Sequence, residues 1–152
     1  MAWFTGSVSK TLTIAAPRDK VHAFFSDPEQ IRLCMDQLVR HEKLTPTRYR
    51  WVLQEKVDKG IRFQPDYVVE YQPGPEEVRW APHGQHNMKS SGSVRTRALS
   101  ETQTEVSYTE TIEADIPVPR LLAKVIGGIV GTEISRGIEG YLRGVKKHLE
   151  RG

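Results

Sequence analysis

The sequence predicts an α+β fold in which one curved antiparallel sheet of six to seven strands wraps around a long C-terminal helix. Three observations indicate this arrangement. The chain opens with an alternating strand, SVSKTLTIAA, which leads directly into two short helical segments. It ends with a helical run from Pro119 to Arg151, and the intervening sequence is strand-like with short turns. Short turns make neighbouring strands antiparallel, and the apolar face of the sheet needs a covering helix.

Composition favours one soluble domain over residues 1–152, since 38% of the residues are hydrophobic and 27% are charged. The net charge of +3 comes without a basic recognition motif, so we expect no nucleic-acid partner. Cys34 is the only cysteine, which excludes an internal disulfide and favours a reducing, cytoplasmic location. No apolar run reaches the ~18 residues of a membrane helix, and no signal peptide is recognisable.

The N-terminal elements have clear start signals. The strand over residues 5–14 alternates apolar and hydroxyl side chains. Pro17 suits the first turn of a helix, because its missing N–H would be unpaired there. Asp27 and Pro28 predict a second short helix, with Asp27 as the N-cap. We therefore expect two short helices directly after the first strand.

The middle of the chain predicts further strands with one apolar and one charged face. Their expected ranges are Leu38–Leu44, Tyr49–Val57, Ile61–Gln72, Glu77–Ala81, Met88–Leu99 and Glu105–Ile116. Pro65 lies inside one of these strands, where it predicts an edge position or a bulge, because proline cannot donate to a neighbouring strand.

The last helix has two apolar stripes that do not coincide. In its second half, one face collects Ile134, Ile138, Tyr141, Leu142, Val145 and Leu149. The apolar residues of its first half are centred about 160° away at 3.6 residues per turn. Either the helix kinks near Gly127 and Gly128, or it is continuous. A continuous helix would leave a hollow under Gly127 and Gly131 and apolar residues on its outer side.

The run from Ile14 to Glu29, with Pro17, Val21, Phe24 and Asp27-Pro28, resembles the opening of START-like, Bet v 1-like proteins. These include the polyketide cyclase/dehydrase and lipid-transport families. Segments 44–50, 63–65 and 71–75 look like a START-related family of unknown function known from cyanobacteria and chloroplasts. The resemblance implies a helix-grip fold with a deep cavity between sheet and C-terminal helix. Members bind sterols, lipids, quinones, polyketides or plant hormones, and only some are enzymes.

Such a cavity would be lined by inward-facing residues of the sheet and the last helix. The candidates for ligand binding are Trp51, Phe63, Tyr67, Tyr71, Trp80, Met88, Tyr108, Glu110, Gly127, Gly131 and Ile134. Aromatic rings at these positions either fill the core or offer flat apolar walls and hydroxyl donors to a ligand.

Two residues are candidates for catalysis, Glu110 and His86. Glu110 shares the strand face of Tyr108, so it should point inward, where burial raises the pKa of a carboxyl. The alternative is a strand-end carboxylate that reaches water or pairs with a base. His83 and His86 lie in a loop before Met88, but no third ligand follows at metal-binding spacing, so we expect no metal. No cofactor motif is present either.

Three functional hypotheses follow. The favoured one is non-catalytic binding or transfer of a hydrophobic small molecule, such as a lipid, a quinone or a polyketide-like aromatic. The second is a cyclase, aromatase or dehydratase that uses Glu110, Tyr67, Tyr108 and His86. The third is an interaction module in which apolar residues such as Ile126, Ile129 and Val130 dock a protein partner or transiently contact a membrane. A monomer and a homodimer are both compatible with the sequence.

Overall fold

Nine strands and three helices follow one another in the computed structural model, which describes residues 2–151. The strands are β1 (Ala2–Ile14), β2 (Leu38–Lys43), β3 (Arg48–Leu53), β4 (Lys56–Asp58), β5 (Ile61–Phe63), β6 (Asp66–Pro73), β7 (Glu77–Pro82), β8 (Met88–Ser100) and β9 (Gln103–Ile116). The helices are α1 (Arg18–Ser26), α2 (Pro28–Ile31) and α3 (Arg120–Glu150), with a 3₁₀ turn at Arg32–Cys34.

Seven of the strands form one antiparallel sheet in the order β1-β9-β8-β7-β6-β3-β2, and β4 and β5 form a separate hairpin. Together with the long α3 and the two short helices after β1, this sheet confirms the predicted helix-grip fold. Asp27 caps α2 as expected, because its side chain accepts a hydrogen bond from the Glu29 N–H at 2.9 Å.

The strand predicted over residues 61–72 is in fact two strands, β5 and β6, which are separated at Gln64-Pro65. Asn87 bridges the break with its side chain. Its Oδ1 accepts from the Asp66 N–H at 2.9 Å, and its Nδ2 donates to the Gln64 carbonyl at 2.8 Å. The predicted strand over residues 49–57 is likewise divided, because β3 ends at Leu53 and β4 begins at Lys56.

Helix α3 is continuous, and its second half runs along the free edge of β1. Two of its side chains donate to backbone carbonyls of β1, Ser135 Oγ to Ser7 at 3.0 Å and Lys146 Nζ to Thr13 at 2.8 Å. A third, Glu150 Oε2, accepts from the Ala15 N–H at 2.8 Å, one residue beyond the end of β1. Strand β1 pairs with β9 on its other side. The helix therefore satisfies backbone groups that an exposed edge strand would offer to another chain.

Two glycines allow α3 to approach β1 closely. A Cβ on Gly6 would lie 2.6 Å from Ile134 Cβ, and a Cβ on Gly131 would lie 2.8 Å from the Thr5 carbonyl oxygen. Gly127, in contrast, has no atom within 4 Å of such a Cβ. The sequence leaves open a hollow under both Gly127 and Gly131. The structure has open space at Gly127, whereas the backbone of Thr5 occupies the space at Gly131.

The core consists of two adjoining clusters on the inner face of the sheet. The larger one packs the second half of α3 on β1, β7, β8, β9 and α1, with Val21, Phe24, Val106, Leu142 and Val145 at its centre. The smaller one contains Tyr49, Trp51, Tyr67, Val69 and Met88. Trp80 and Ile112 contact both clusters. These two residues therefore mark the middle of the inner face.

The outer face of the sheet is charged, as the alternation predicts. Arg48 and Glu70 pair across β3 and β6 at 2.8 Å, and Arg50 Nη2 and Asp66 Oδ2 pair at 2.7 Å. No helix within residues 2–151 has the length and apolar content that crossing a bilayer requires.

Candidate functional site

A carboxyl group lies on the inner face of the sheet, in the central part of β9. Glu110 is opposite Val8 on β1 and Gly92 on β8. Its Oε1 accepts a hydrogen bond from the Tyr108 hydroxyl at 2.8 Å, and its Oε2 accepts one from the Ser90 hydroxyl at 2.7 Å. Both carboxyl oxygens are therefore held by donors from the inner face of β8 and β9.

Trp80 extends this network from the neighbouring strand β7. Its indole ring lies over Gly92, since a Cβ there would be 2.6 Å from Trp80 Cζ2. The indole Nε1 donates to Ser90 Oγ at 3.1 Å. An indole N–H only donates, so the Ser90 hydroxyl accepts a hydrogen bond from Trp80 and donates one to Glu110. The chain of bonds runs in one direction, towards the carboxyl.

Aromatic rings surround this carboxyl network. The ring centroid of Tyr108 is 5.6 Å from that of Trp80 and 6.5 Å from that of Tyr141 on α3. Tyr141 is absent from the predicted ligand residues, because its helical periodicity assigns it to an apolar packing stripe. A tyrosine within an inward stripe is the signal that could have identified it, since a buried hydroxyl usually has a polar partner.

Four tyrosines share the electrostatic environment of Glu110. Burial raises the pKa of the Tyr67, Tyr71, Tyr108 and Tyr141 hydroxyls, and the negative charge of Glu110 adds to the increase in each case. Tyr71 also accepts a hydrogen bond from Trp51 Nε1 at 3.1 Å. The phenols therefore remain neutral at ordinary pH and serve as hydrogen-bonding groups around the carboxyl.

The pKa of Glu110 is itself raised by burial, and the hydrogen bonds from Ser90 and Tyr108 counteract this only in part. No positive charge contributes to the shift. A carboxyl that is desolvated and lacks a basic partner takes up a proton more readily than an exposed glutamate. It is therefore suited to donate or accept a proton, or to bind a positively charged group.

The inner face around Glu110 retains accessible surface. The residues that are only half-buried there are Tyr71, Trp80, Glu110, Ile112, Ile134 and Tyr141. Among residues 2–151, the hydroxyls of Tyr67 and Tyr141 have no hydrogen-bond partner, and neither oxygen is fully enclosed. These side chains and hydroxyls are therefore the accessible part of the inner face around Glu110.

Several predicted ligand residues lie apart from this space. Trp51 is 1% exposed and packs between Tyr49 and His41, with centroids at 5.8 and 6.1 Å. Met88 is buried in the same cluster, and Phe63 belongs to the separate β4–β5 hairpin. As described above, Gly131 meets the backbone of β1, and Gly127 lies on an open surface of α3.

His86 lies in a different depression of about 390 Å³, together with Trp3, Gln85, Lys89 and Asp115. Lys89 Nζ is 4.6 Å from the centre of the Trp3 ring there. The structure therefore does not bring His86 to Glu110, and His83 is exposed. Within residues 2–151, no group of three or more His, Cys, Asp or Glu side chains is arranged to hold a metal ion.

A third set of polar residues surrounds a surface depression of about 630 Å³ near Arg18. Arg18 Nε donates to Thr96 Oγ1 at 3.1 Å, and Arg97 Nη2 pairs with Glu105 at 3.0 Å. Its positive groups are thus already engaged by protein acceptors. Neither of these two depressions contains Glu110.

Comparison with known families identifies the chain's relatives. The sequence profile of the family described as "Polyketide cyclase / dehydrase and lipid transport" matches residues 5–150. The chain belongs to this family. The resemblance recognised in the run from Ile14 to Glu29 is thereby confirmed, whereas the narrower similarity to the cyanobacterial and chloroplast family stays a prediction. Among curated proteins, no sequence matches the chain.

Solved structures of other proteins share the fold of this family member. A START superfamily protein from Mycobacterium smegmatis superposes with a TM-score of 0.72 at 16% identity, over 95% of this chain and 97% of the other. The Zhui aromatase/cyclase from Streptomyces sp. R1128 gives 0.66 at 15% identity, over 97% and 94%. Norcoclaurine synthase from Thalictrum flavum gives 0.60 at 10% identity, over 97% and 98%. At these identities the similarity shows the fold alone.

Proposed function

We propose that this protein binds a hydrophobic small molecule, such as a lipid, a quinone or a polyketide-like aromatic, between the inner face of the sheet and α3. The observation that carries the proposal is the half-buried Glu110 network, with its chain of donors from Trp80, Ser90 and Tyr108. Burying a carboxyl without a basic partner costs free energy and adds nothing to the stability of the core, so its presence supports a role in binding.

The surroundings of Glu110 suit a ligand that is mostly apolar with one polar end. The half-buried Trp80 and Tyr141 offer ring faces, and Ile112 and Ile134 add aliphatic contacts. The Tyr67 and Tyr141 hydroxyls are free to bond a polar group of the ligand. Ligand sites combine apolar walls with a few placed polar groups in this way.

Binding is testable with the neutral fluorescent probe N-phenyl-1-naphthylamine, titrated into the purified protein. Ile112→Trp places a larger ring in the space beside Glu110, and we expect it to weaken probe binding about tenfold or more. Thr109→Trp is the matched control, because Thr109 lies on the outer, exposed face of the same strand. Equal probe affinity in the wild type and Ile112→Trp would contradict the proposed site.

Native mass spectrometry with solvent extraction complements the probe titration. A lipid, quinone or aromatic compound that co-purifies with the wild type and is lost in Ile112→Trp would identify the natural chemical class. A compound that is retained equally by Ile112→Trp would place its binding elsewhere on the protein.

A second candidate function is acid–base catalysis of the cyclase or dehydratase type, and the raised pKa of Glu110 favours it. The experiment is turnover of a synthetic β-polyketone thioester, followed by the absorbance of its aromatic product. If the protein is such an enzyme, Glu110→Gln lowers kcat by about 10²-fold or more, because it removes the titrating group. Turnover that is unchanged in Glu110→Gln would rule out this role.

The exposed first half of α3 supports a transient contact with a membrane surface, from which a hydrophobic ligand would be exchanged. Leu121 is 80%, Val125 75% and Ile129 66% exposed, and Arg120 and Lys124 lie beside them. Apolar and basic side chains on one helix are typical of interfacial binding to anionic lipids. We expect co-sedimentation with phosphatidylglycerol vesicles that Val125→Glu abolishes. A wild-type protein that stays in the supernatant, or a homodimer formed through this face, would contradict it.

A further inference from the structure

We infer that the ligand at the inner face carries a positively charged nitrogen, which Glu110 binds as its counter-ion among the rings of Trp80, Tyr108 and Tyr141. The inference deepens the proposed function and rests on it, because it specifies the polar end of the hydrophobic ligand. The fold alone would accommodate organic amines, fatty acids and neutral lipids equally, and the inference selects the amines.

The first step is that the site has a negative group and no positive one. Within residues 2–151, Glu110 makes no ion pair with a lysine, arginine or histidine, whereas twelve other acidic–basic contacts and one with a histidine occur elsewhere on the protein. Lys10 is opposite Tyr108 on β1, but it is exposed. A buried carboxylate without a partner gains most from a cation that arrives with the ligand.

The second step is the direction of the hydrogen bonds. Trp80 donates to Ser90, Ser90 donates to Glu110 Oε2 at 2.7 Å, and Tyr108 donates to Oε1 at 2.8 Å. Each of these donors stabilises the ionised carboxylate rather than the neutral acid. The network is thus organised around a negative charge, and no residue within 2–151 supplies the balancing positive charge.

The third step is the aromatic lining. Trp80, Tyr108 and Tyr141 form a row of rings with centroid separations of 5.6 and 6.5 Å, and Glu110 is bonded to the middle one. Ring faces attract an ammonium group, most strongly where water is excluded. A carboxylate and several aromatic rings at one place favour an organic cation over a neutral or an anionic ligand.

The same geometry disfavours anionic ligands. A fatty-acid carboxylate placed beside Glu110 would either meet a like charge or force Glu110 to take up a proton. The basic side chains near Arg18 and Lys89 belong to the other two depressions and do not neutralise such a ligand. The inner face therefore discriminates by charge as well as by hydrophobicity.

Three probes of nearly the same shape test this: 2-(1-naphthyl)ethylamine, 2-(1-naphthyl)ethanol and 1-naphthylacetate, each titrated calorimetrically. In the wild type we expect the amine to bind about tenfold more tightly than the alcohol, and the acetate to bind least. In Glu110→Gln the amine should lose this advantage while the alcohol binds as before. Glu113→Gln, on the outer face of the same strand, is the control that should keep the preference.

A second measurement uses only the wild type, so it does not depend on the variant folding. Amine binding should release a proton in mildly acidic buffer, because the bound cation ionises Glu110, and alcohol binding should not. The other titratable groups around the site are Tyr67, Tyr71, Tyr108, Tyr141 and Cys34. Burial raises the pKa of each of them, so they stay protonated there.

The outcomes separate the two proposals. Equal binding of amine and alcohol to the wild type, or an amine preference that survives Glu110→Gln, would overturn the charge inference and leave the hydrophobic site intact. Binding of none of the three probes would contradict the hydrophobic site as well. Proton release with the amine alone, together with loss of preference in Glu110→Gln, is the result that supports both.

Discussion

The Tyr108 hydroxyl is 2.8 Å from Glu110 Oε1, and the two residues are two positions apart on β9. Alternate residues of a strand share a face, so the strand itself sets this pair on the inner side of the sheet. The second donor, Ser90, comes from the adjacent strand β8. A site built on neighbouring strands is held more rigidly than one built on loops, which favours a preorganised carboxyl.

The first prediction concerns the pH dependence of stability. The pKa of Glu110 is raised in the folded protein, so the folded state binds more protons than the unfolded state once the pH exceeds the ordinary value for glutamate. The contribution of Glu110 to wild-type stability therefore declines as the pH rises through its folded-state pKa. Glu110→Gln removes this decline. We expect the stability of the variant relative to the wild type to increase from acid to neutral pH.

Urea unfolding of both proteins across this pH range provides the measurement. Asp66, Glu70, Glu77 and Glu150 have lowered pKa values and act in the opposite direction. They are present in both proteins and cancel in the difference. A difference that is constant with pH would contradict the raised pKa.

The second prediction compares two glycines of α3. Gly127→Ala should stabilise the protein by about 0.5–1 kcal/mol, because alanine is the better helix former and no atom lies within 4 Å of the new methyl group. Gly131→Ala should destabilise it by about 1–3 kcal/mol, because its methyl group would lie 2.8 Å from the Thr5 carbonyl oxygen. Denaturant midpoints measure both. The same sign for the two variants would refute the close approach at Gly131.

The third prediction concerns Asn87, which joins the two sides of the break before β6. Asn87→Ala removes its bonds to the Asp66 N–H and the Gln64 carbonyl. We expect a loss of about 1–3 kcal/mol in the free energy of unfolding, because two backbone groups lose their partners. Gln85→Ala is the control, since Gln85 is an exposed residue of the same loop. If both variants unfold alike, the side chain of Asn87 has no bridging role.

The fourth prediction tests the contact between α3 and the edge of β1. Ser135→Ala breaks the bond from Ser135 Oγ to the Ser7 carbonyl, which should lower the free energy of unfolding by about 1 kcal/mol. The higher helix propensity of alanine offsets part of this loss. Thr132→Ala gains similar propensity but loses only a bond to Gly128 within the same helix. Ser135→Ala should therefore be the less stable of the two by urea unfolding. The reverse order would speak against edge protection by α3.

Strand alternation is the reason that the fold and the direction of Glu110 are predictable from sequence. The pattern of residues 105–116 places Tyr108, Glu110 and Ile112 on one face, and the structure has them there. It does not give register. The pairing of Gly92 with Glu110, which leaves room for the Trp80 ring, depends on the tight turn between β8 and β9 and on the register shift between Ala98 and Ser100, neither of which strand alternation specifies.

Other features escaped prediction because they arise from tertiary packing. The position of α3 along the edge of β1 depends on Gly6, which resembles any other strand glycine in the sequence. The role of Asn87 follows from the strand break at Pro65, 22 positions earlier, and no local pattern connects the two. Tyr141 is readable as an inward residue, but its approach to Tyr108 requires the packed helix.

Because Trp80 is linked through Ser90 to Glu110, the intrinsic fluorescence of Trp80 should depend on the state of this carboxyl. Indole emission responds to the charge and polarity around the ring, and Trp80 is one hydroxyl away from the carboxyl. The other two tryptophans differ in setting, since Trp3 is 46% exposed and Trp51 is 1% exposed. Replacing both with phenylalanine would leave Trp80 as the single tryptophan. Its emission maximum would then report, without any added label, whether Glu110 is charged and whether a ligand is bound beside it.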